Sequence, residues 1–152
     1  MLSILREDQH EIYFDTMLKS SFGTVAEARN QPPLSGVYSF FDQCDPIYIG
    51  RTNKRGFGPR MKNHLTPSHN QAVLAFKIAK KKLGLVTVYS GEGTRKKLMG
   101  NPEFLSAFKD QIAYVSNLSV RFVEITDSDD QYIFEYYASR RLKTPYNDFD
   151  TH

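Results

Sequence analysis

Residues 36–50 read GVYSFFDQCDPIYIG, and the rest of the fold is expected to form around this stretch. Its two halves extend over residues 35–41 and 46–51, are rich in Val, Ile, Phe and Tyr, and are separated by the polar sequence Asp-Gln-Cys-Asp. Runs of this composition on either side of a polar turn are typical of two β-strands joined as a hairpin. We therefore predict a hairpin with Tyr38 on one arm and Tyr48 on the other.

Helices are predicted on both sides of the hairpin, from apolar spacing and from the Pro and Gly residues that end each pattern. Ser128 is predicted to cap the last of them, with Gln131 three residues later in a capping box. The predicted helices cover residues 3–29, 59–65 (opened by residues 56–59, with Pro59 at the first helical position), 70–83, 102–116 and 128–142, and further strands are predicted at 85–89 and 120–125.

These elements predict the α+β class: a small mixed or antiparallel sheet that opens with a hairpin and is flanked by helices. The length of 152 residues suits one ordinary domain. Residues 1–34 are expected to form an accessory helical segment. Residues 35–152 are expected to form the main domain.

Basic residues are concentrated in one part of the chain. Residues 51–97 hold 12 of the 20 Lys and Arg residues and only one of the 17 acidic residues, so this segment carries +11 and the remainder −8. Such segregation indicates a polyanionic partner, nucleic acid, more than the small net charge does, and the alternative is a basic surface that is only solvated. The predicted nucleic-acid contacts are Arg51, Lys54, Arg55, Lys62, Lys80, Lys81, Lys82, Arg95, Lys96 and Lys97.

Several classes of protein are disfavoured by composition. No apolar run approaches the roughly 20 residues of a membrane-spanning helix, and the N-terminus lacks the apolar core of a secretory signal. The single cysteine, Cys44, excludes an internal disulfide and a cysteine-based zinc site. We expect no membrane partner and a reducing, cytoplasmic location.

Side chains suited to phosphate chemistry follow the hairpin. Arg60 and His64 are four residues apart on a predicted helix, so they share a face and could clamp a phosphate. Glu135 has apolar neighbours throughout its helical turn, and a buried carboxylate needs a cation, a metal or hydrogen bonds. Asn147 lies in a loop after Pro145.

Each of these features also has a purely structural interpretation. The two tyrosines could be packed aromatics of a sheet. Arg60 and His64 could belong to a solvated helix face. Glu135 could form a structural ion pair, and Asn147 could serve only the turn beside its proline.

Taken in order, the motifs resemble those of the GIY-YIG nuclease superfamily. Gly36-Val37-Tyr38 and Tyr48-Ile49-Gly50 are separated by nine residues, with Val37 where the motif has Ile, and the resemblance extends to Asn147. It implies a GIY-YIG-like fold and six catalytic residues: Tyr38, Tyr48, Arg60, His64, Glu135 and Asn147. His64 and Glu135 are 71 residues apart, which implies inserted elements around residues 66–118.

The resemblance also implies chemistry. Glu135 would hold one divalent ion, Mg²⁺ or Mn²⁺, and Tyr38 would act as general base. A phenol ionises near pH 10, so Arg51, Arg60, His64 or the metal would have to lower that pKa. The expected function is metal-dependent endonuclease hydrolysis of nucleic acid, with DNA favoured, and the alternatives are a catalytically inactive nucleic-acid-binding domain of the same fold or a structural domain.

Overall fold

The computed structural model describes residues 7–85 and 94–147. Contacts divide the chain into two compact units: the first consists of Met1–Met61 together with Leu118–His152, and the second of Lys62–Asn117. The first unit contains the sheet, and the described part of the second unit is helical. The predicted α+β class is therefore confirmed.

Three strands form the sheet in the order β2-β1-β3, with antiparallel pairing on both sides of β1. The predicted hairpin is confirmed, and one irregularity shifts its register between Phe40 and Phe41. In chain order the elements are α1 (Glu7–Lys19), α2 (Val25–Ala28), β1 (Gly36–Asp42), β2 (Asp45–Arg51), α3 (Phe57–His64), α4 (Val73–Lys82), α5 (Arg95–Met99), α6 (Pro102–Ser116), β3 (Ser119–Glu124) and α7 (Ser128–Leu142).

The two faces of β1 bury different layers, because successive side chains of a strand point to opposite sides. Val37 lies on the face covered by α1 and α7, in a core cluster that includes Met17 and Phe134. Tyr38 lies on the other face, together with its cross-strand partner Phe122. There Phe57, at the start of α3, stacks on Phe122 with 4.1 Å between ring centroids.

The single helix predicted over residues 3–29 is wrong. Within the described part, α1 ends at Lys19 and α2 begins at Val25, and the segment between them pairs with β3 instead. The backbone N–H of Val120 donates to the carbonyl of Gly23, whose φ of +77° is incompatible with a continuous helix. Backbone pairing with a distant strand is not visible in local helical periodicity.

Smaller corrections concern helix ends. The N-cap of α7 is Asp127, not Ser128, since its carboxylate accepts a hydrogen bond from the N–H of Asp130 at 2.9 Å. Gln131 donates instead to the carbonyl of Ile125 at 2.6 Å. The helix predicted at 70–83 is the shorter α4, α5 was not predicted, and the strand predicted at 85–89 lies outside the described residues after Leu85.

Nothing in the described ranges forms a helix with the length and apolar character needed to cross a bilayer.

Candidate active site

Tyr38 lies at the centre of the candidate site and is fully buried. Its cross-strand partner is Gly50, and a Cβ atom at that position would overlap the hydroxyl oxygen and Cζ of Tyr38. Gly36 is equally constrained, because a Cβ there would overlap the carbonyl oxygen of Val123. The outer glycines of both tripeptides are therefore required by close packing around the hairpin.

Aromatic rings surround Tyr38 on its face of the hairpin. Phe40 and Tyr48 are directly opposite each other in the register, and their ring centroids are 6.0 Å apart. The Tyr38 ring lies 5.1 Å from Phe40 and 6.4 Å from Tyr48, centroid to centroid. The two phenols therefore share one largely dry environment, in which Tyr48 is also buried.

Arg60 reaches this environment from α3. Its guanidinium donates a hydrogen bond to the hydroxyl of Tyr38, and its charge also acts on Tyr48. The interaction with Tyr38 is the main reason that the pKa of Arg60 is raised above its usual value. Arg60 therefore remains a cation at any pH at which the protein is folded.

Glu135 supplies the negative charge of the site from α7, which packs against β2 and β1. Its charge raises the pKa of both phenols and of Arg60. The side chain is half-buried, so the prediction of a buried carboxylate is wrong. The reason is helical geometry: Phe134 and Ala138 point into the core, whereas Tyr132 and Tyr136 are exposed beside Glu135.

Burial dominates the ionisation of both phenols. It raises the pKa of Tyr38 to about 12, with the charge of Glu135 adding to the rise and Arg60 opposing it. Burial likewise raises the pKa of Tyr48 above its usual range, with Tyr38 and Glu135 adding to the rise. Both side chains are therefore protonated at neutral pH in this conformation, in spite of the neighbouring guanidinium.

Asn147 binds the backbone of β2 rather than another candidate side chain. Its amide oxygen accepts a hydrogen bond from the N–H of Ile49 at 2.7 Å, and its amide nitrogen donates to the carbonyl of Ile49 at 2.7 Å. The hydroxyl of Thr144 also donates to the same oxygen at 2.7 Å. Asn147 therefore positions the strand that carries Tyr48, and Thr144 is a supporting residue that sequence reasoning missed.

His64 is the one candidate catalytic residue that is assigned to the second unit. It is the last residue of α3, one helical turn after Arg60, is fully buried, and belongs to the second unit. Tyr38, Tyr48, Arg60, Glu135 and Asn147 all belong to the first unit.

The ten predicted nucleic-acid contacts are divided between the units. Three lie in the first unit, where Lys54 and Arg55 are exposed and Arg51 is partly buried. In the second unit, Lys80 and Arg95 are partly buried and lie over the ring of Phe76, at 5.5 and 5.1 Å from its centroid. The exposed members of the second unit are Lys62, Lys81, Lys82, Lys96 and Lys97.

Metal-binding groups were sought among the described side chains. No cluster of three or more His, Cys, Asp or Glu residues in residues 7–85 and 94–147 is arranged to hold an ion. The hypothesis for this site requires only one protein ligand, a single carboxylate. Water and substrate oxygens would be the other ligands, which is a common arrangement for Mg²⁺. Glu135 is the only carboxylate that acts on both candidate phenols in the described site.

Comparison of the chain with models of known protein families, with curated proteins and with solved structures returned no significant match. The chemistry of the candidate side chains is therefore what indicates a function for this site.

Gly50→Ala should destabilise the protein by about 1–3 kcal/mol, because the added methyl group overlaps the buried Tyr38 ring. The cost should largely disappear in a Tyr38→Leu background, which removes the obstructing phenol. Gly100→Ala is the control, because its Cβ would meet only the Lys97 carbonyl oxygen, at 3.4 Å. The free energy of unfolding in urea is measured for the wild type, Gly50→Ala, Tyr38→Leu and the double variant, which together form a double-mutant cycle. An equal cost of Gly50→Ala in both backgrounds would contradict the predicted overlap with Tyr38.

Because folding raises the pKa of the buried phenols, the stability of the protein should fall as the pH becomes alkaline. The pKa of Tyr38 rises from an ordinary value near 10 to about 12 on folding. Its contribution to stability is therefore complete below about pH 10 and lost as the pH rises towards about 12, by up to about 1.4 kcal/mol per pH unit. The free energy of unfolding in urea should be measured at about pH 9 and about pH 11, on either side of the ordinary pKa of a phenol. It should decrease less for Tyr38→Phe than for the wild type. An equal decrease in both proteins would contradict a raised pKa for Tyr38.

Proposed function

We propose that the protein is a metal-dependent endonuclease of the GIY-YIG type, which hydrolyses phosphodiester bonds in nucleic acid, with DNA as the preferred substrate. The observation that carries the proposal is the electrostatic coupling of two phenols, one guanidinium and one carboxylate that are distant in sequence. A purely structural ion pair would explain why Arg60 and Glu135 are present, but it would explain nothing about the two tyrosines. It leaves unexplained why two buried phenols lie within reach of both charges.

Arg60 is assigned to the scissile phosphate. Its planar guanidinium has five N–H donors, so it can hold the hydroxyl of Tyr38 and still donate to a phosphate oxygen. A fixed cation at this position offsets charge that develops on the phosphate oxygens during attack. Because Arg60 also contacts Tyr38, it would align the phosphate with the group that handles the proton of the attacking water.

Tyr38 is assigned to proton transfer. Hydrolysis forms a bond from the water oxygen to phosphorus, breaks the bond to the leaving 3′ oxygen, and releases one proton from the water. The oxygen of Tyr38 can accept that proton once its own has been lost to solvent, and Arg60 stabilises the phenolate in the interval. The leaving 3′ oxygen takes up one proton from solvent, which balances the proton that Tyr38 released. The hydroxyl of Tyr48, in the same environment, can orient the water or the phosphate.

Glu135 is assigned as the protein ligand of one divalent ion. A half-buried carboxylate whose charge acts on both phenols is an oxygen donor of the kind that Mg²⁺ and Mn²⁺ prefer, so the site fits a single-carboxylate anchor. When bound, such an ion supplies Lewis-acid stabilisation of the phosphate and the leaving oxygen. Glu135 also balances the charge of Arg60 when no substrate is present.

Partner and location follow from the same proposal. Exposed lysines and arginines in each unit would supply sequence-independent affinity for a phosphate backbone. A nucleic-acid substrate and a single exposed cysteine, Cys44, accord with the cytoplasm. No membrane partner is proposed.

A second candidate function, a catalytically inactive nucleic-acid-binding domain of the same fold, is favoured by one observation. Tyr38 is fully buried and burial raises its pKa to about 12, so the group assigned to proton transfer is protonated and closed to water in this conformation. An active enzyme must admit water to that hydroxyl when substrate binds. A binding domain needs no such rearrangement.

Glu135→Gln separates the two functions. Loss of the carboxylate should lower Mg²⁺-dependent nicking of a supercoiled plasmid by about 100-fold or more, because the ion loses its protein ligand. Binding without metal, measured by gel shift, should be unchanged or slightly tighter, since a negative charge near the phosphates is removed. Single-turnover conditions keep product release out of the rate.

Two other carboxylates provide matched controls for this experiment. Glu124→Gln, on β3, and Glu103→Gln, on α6, each remove one exposed charge, and neither residue acts on the candidate phenols. Both variants should cleave at the wild-type rate. Wild-type cleavage by Glu135→Gln would leave the binding domain as the better assignment.

Tyr38→Phe tests the proton-transfer role. The single-turnover rate of the wild type should rise as the pH increases from neutrality, because the phenolate becomes more populated below a pKa of about 12. In Tyr38→Phe the rate should fall by about 100-fold or more and lose this pH dependence, with binding nearly unchanged. A variant that keeps the wild-type pH profile would remove Tyr38 from the mechanism.

A further inference from the structure

One face of α7 carries aromatic rings that the proposed catalytic groups do not use. Tyr132 and Tyr136 lie one helical turn apart, and 56% and 45% of their surfaces are exposed. Within residues 7–85 and 94–147, these are the only Phe or Tyr side chains that are exposed rather than buried or partly buried. An exposed pair of large rings on one helix face usually marks a binding surface.

Each ring is accompanied by an arginine. The guanidinium carbon of Arg51, at the end of β2, lies 5.2 Å from the centroid of the Tyr132 ring. That of Arg140, one turn further along α7, lies 5.9 Å from the centroid of the Tyr136 ring. The four side chains, which we call the tyrosine platform, therefore combine flat apolar surface with a positive charge over one side of each ring.

We infer that the tyrosine platform binds unpaired bases of single-stranded nucleic acid by stacking. Rings that stack on bases, beside cations that follow the phosphates, are the features by which proteins hold single strands. In a duplex both faces of each base are covered by its neighbours, so only unpaired bases can offer a face to Tyr132 or Tyr136.

The spacing of the rings supports a single strand over a duplex. Positions four residues apart on a helix are separated by about 6 Å along its axis. Stacked bases follow one another at about 3.4 Å. Two successive bases could therefore reach the two rings only when they are no longer stacked on each other, a state that is open to a single strand.

The charges around the tyrosine platform indicate where the phosphates of a bound strand would lie. Glu135 and Asp129 each lie within one turn of Tyr132 on α7, whereas Arg51 and Arg140 lie over the rings. Phosphates should therefore follow the arginines and avoid the carboxylates. This complementarity favours a polyanion over a second copy of this chain, which would bring its own arginines against the platform.

The inference rests on the proposed function and narrows its substrate class. Glu135 lies on the same helix as both rings, adjacent to Tyr136 in sequence. Unpaired nucleotides held on α7 would lie beside the proposed site of cleavage. The preferred substrates would then be strands with unpaired bases next to the scissile bond, rather than continuous duplex.

Binding to two labelled oligonucleotides without metal tests the inference. One is a thymine oligonucleotide, and the other is an abasic strand of the same length and charge. The wild type should bind the thymine strand more tightly by about 10- to 100-fold for each base that stacks, the range typical of base–aromatic stacking. Tyr132→Ala/Tyr136→Ala should bind both strands equally, with the affinity for the abasic strand unchanged.

Two control proteins accompany this measurement. Tyr132→Phe/Tyr136→Phe keeps both rings and should keep the preference for bases. Ile12→Ala removes an apolar side chain of matching exposure, 55%, from α1 and should also keep the preference. An alanine variant that retains the preference for thymine, or that loses affinity for the abasic strand to the same extent, would overturn the inference.

Fluorescence gives a second readout that requires no truncation. The chain contains no Trp, so Tyr132→Trp introduces a single indole on the platform. The thymine strand should quench its emission and the abasic strand should leave it unchanged, because quenching requires a stacked base. Equal quenching by both strands would also overturn the inference. So would a wild type that shows no preference for bases but self-associates through these rings, with the self-association lost in Tyr132→Ala/Tyr136→Ala.

The outcome is independent of catalysis, because no metal is present. A preference for bases in a protein that never cleaves would support the tyrosine platform and contradict the nuclease. Metal-dependent cleavage with no preference for bases would contradict the tyrosine platform and leave the nuclease intact.

Discussion

A buried phenol without a hydrogen-bond partner is costly, and Tyr38 avoids that cost through the guanidinium of Arg60. The hydrogen bond joins the start of α3 to the central strand of the sheet. It is possible only because Gly50, on the neighbouring strand, leaves room for the ring. The Tyr38 side chain therefore helps to hold α3 against the sheet, and its ring requires a glycine at position 50.

Opposing influences act on this hydroxyl, and burial is the largest of them. Arg60 favours ionisation of Tyr38, whereas desolvation and the charge of Glu135 oppose it. A cation beside Glu135 would cancel the charge that now opposes ionisation, and the five N–H donors of Arg60 allow it to keep its hydrogen bond to the phenol while it binds an anion. The ionisation of this buried phenol therefore depends on what lies beside Arg60 and Glu135.

Local sequence patterns predicted the hairpin and α7, because alternation and helical spacing report which face of an element is buried. They failed where the decisive partner was distant. The depth of Tyr38 depends on α3 and Gly50, and the partner of Asn147 is the backbone of Ile49, 98 residues away. Glu135 is instructive, since strict helical spacing would have separated exposed Tyr132 and Tyr136 from buried Phe134.

Each edge strand of the three-stranded sheet has backbone groups that are hydrogen-bonded to a segment outside the sheet. At β2, the side-chain amide of Asn147 bonds Ile49 as a neighbouring strand would. At β3, the carbonyl of Gly23 accepts a hydrogen bond from the N–H of Val120. An edge with unpaired backbone groups is a template for strand addition and aggregation. The Asn147 amide therefore satisfies two backbone groups that a strand of another chain would otherwise need to pair with, in addition to positioning the strand that carries Tyr48.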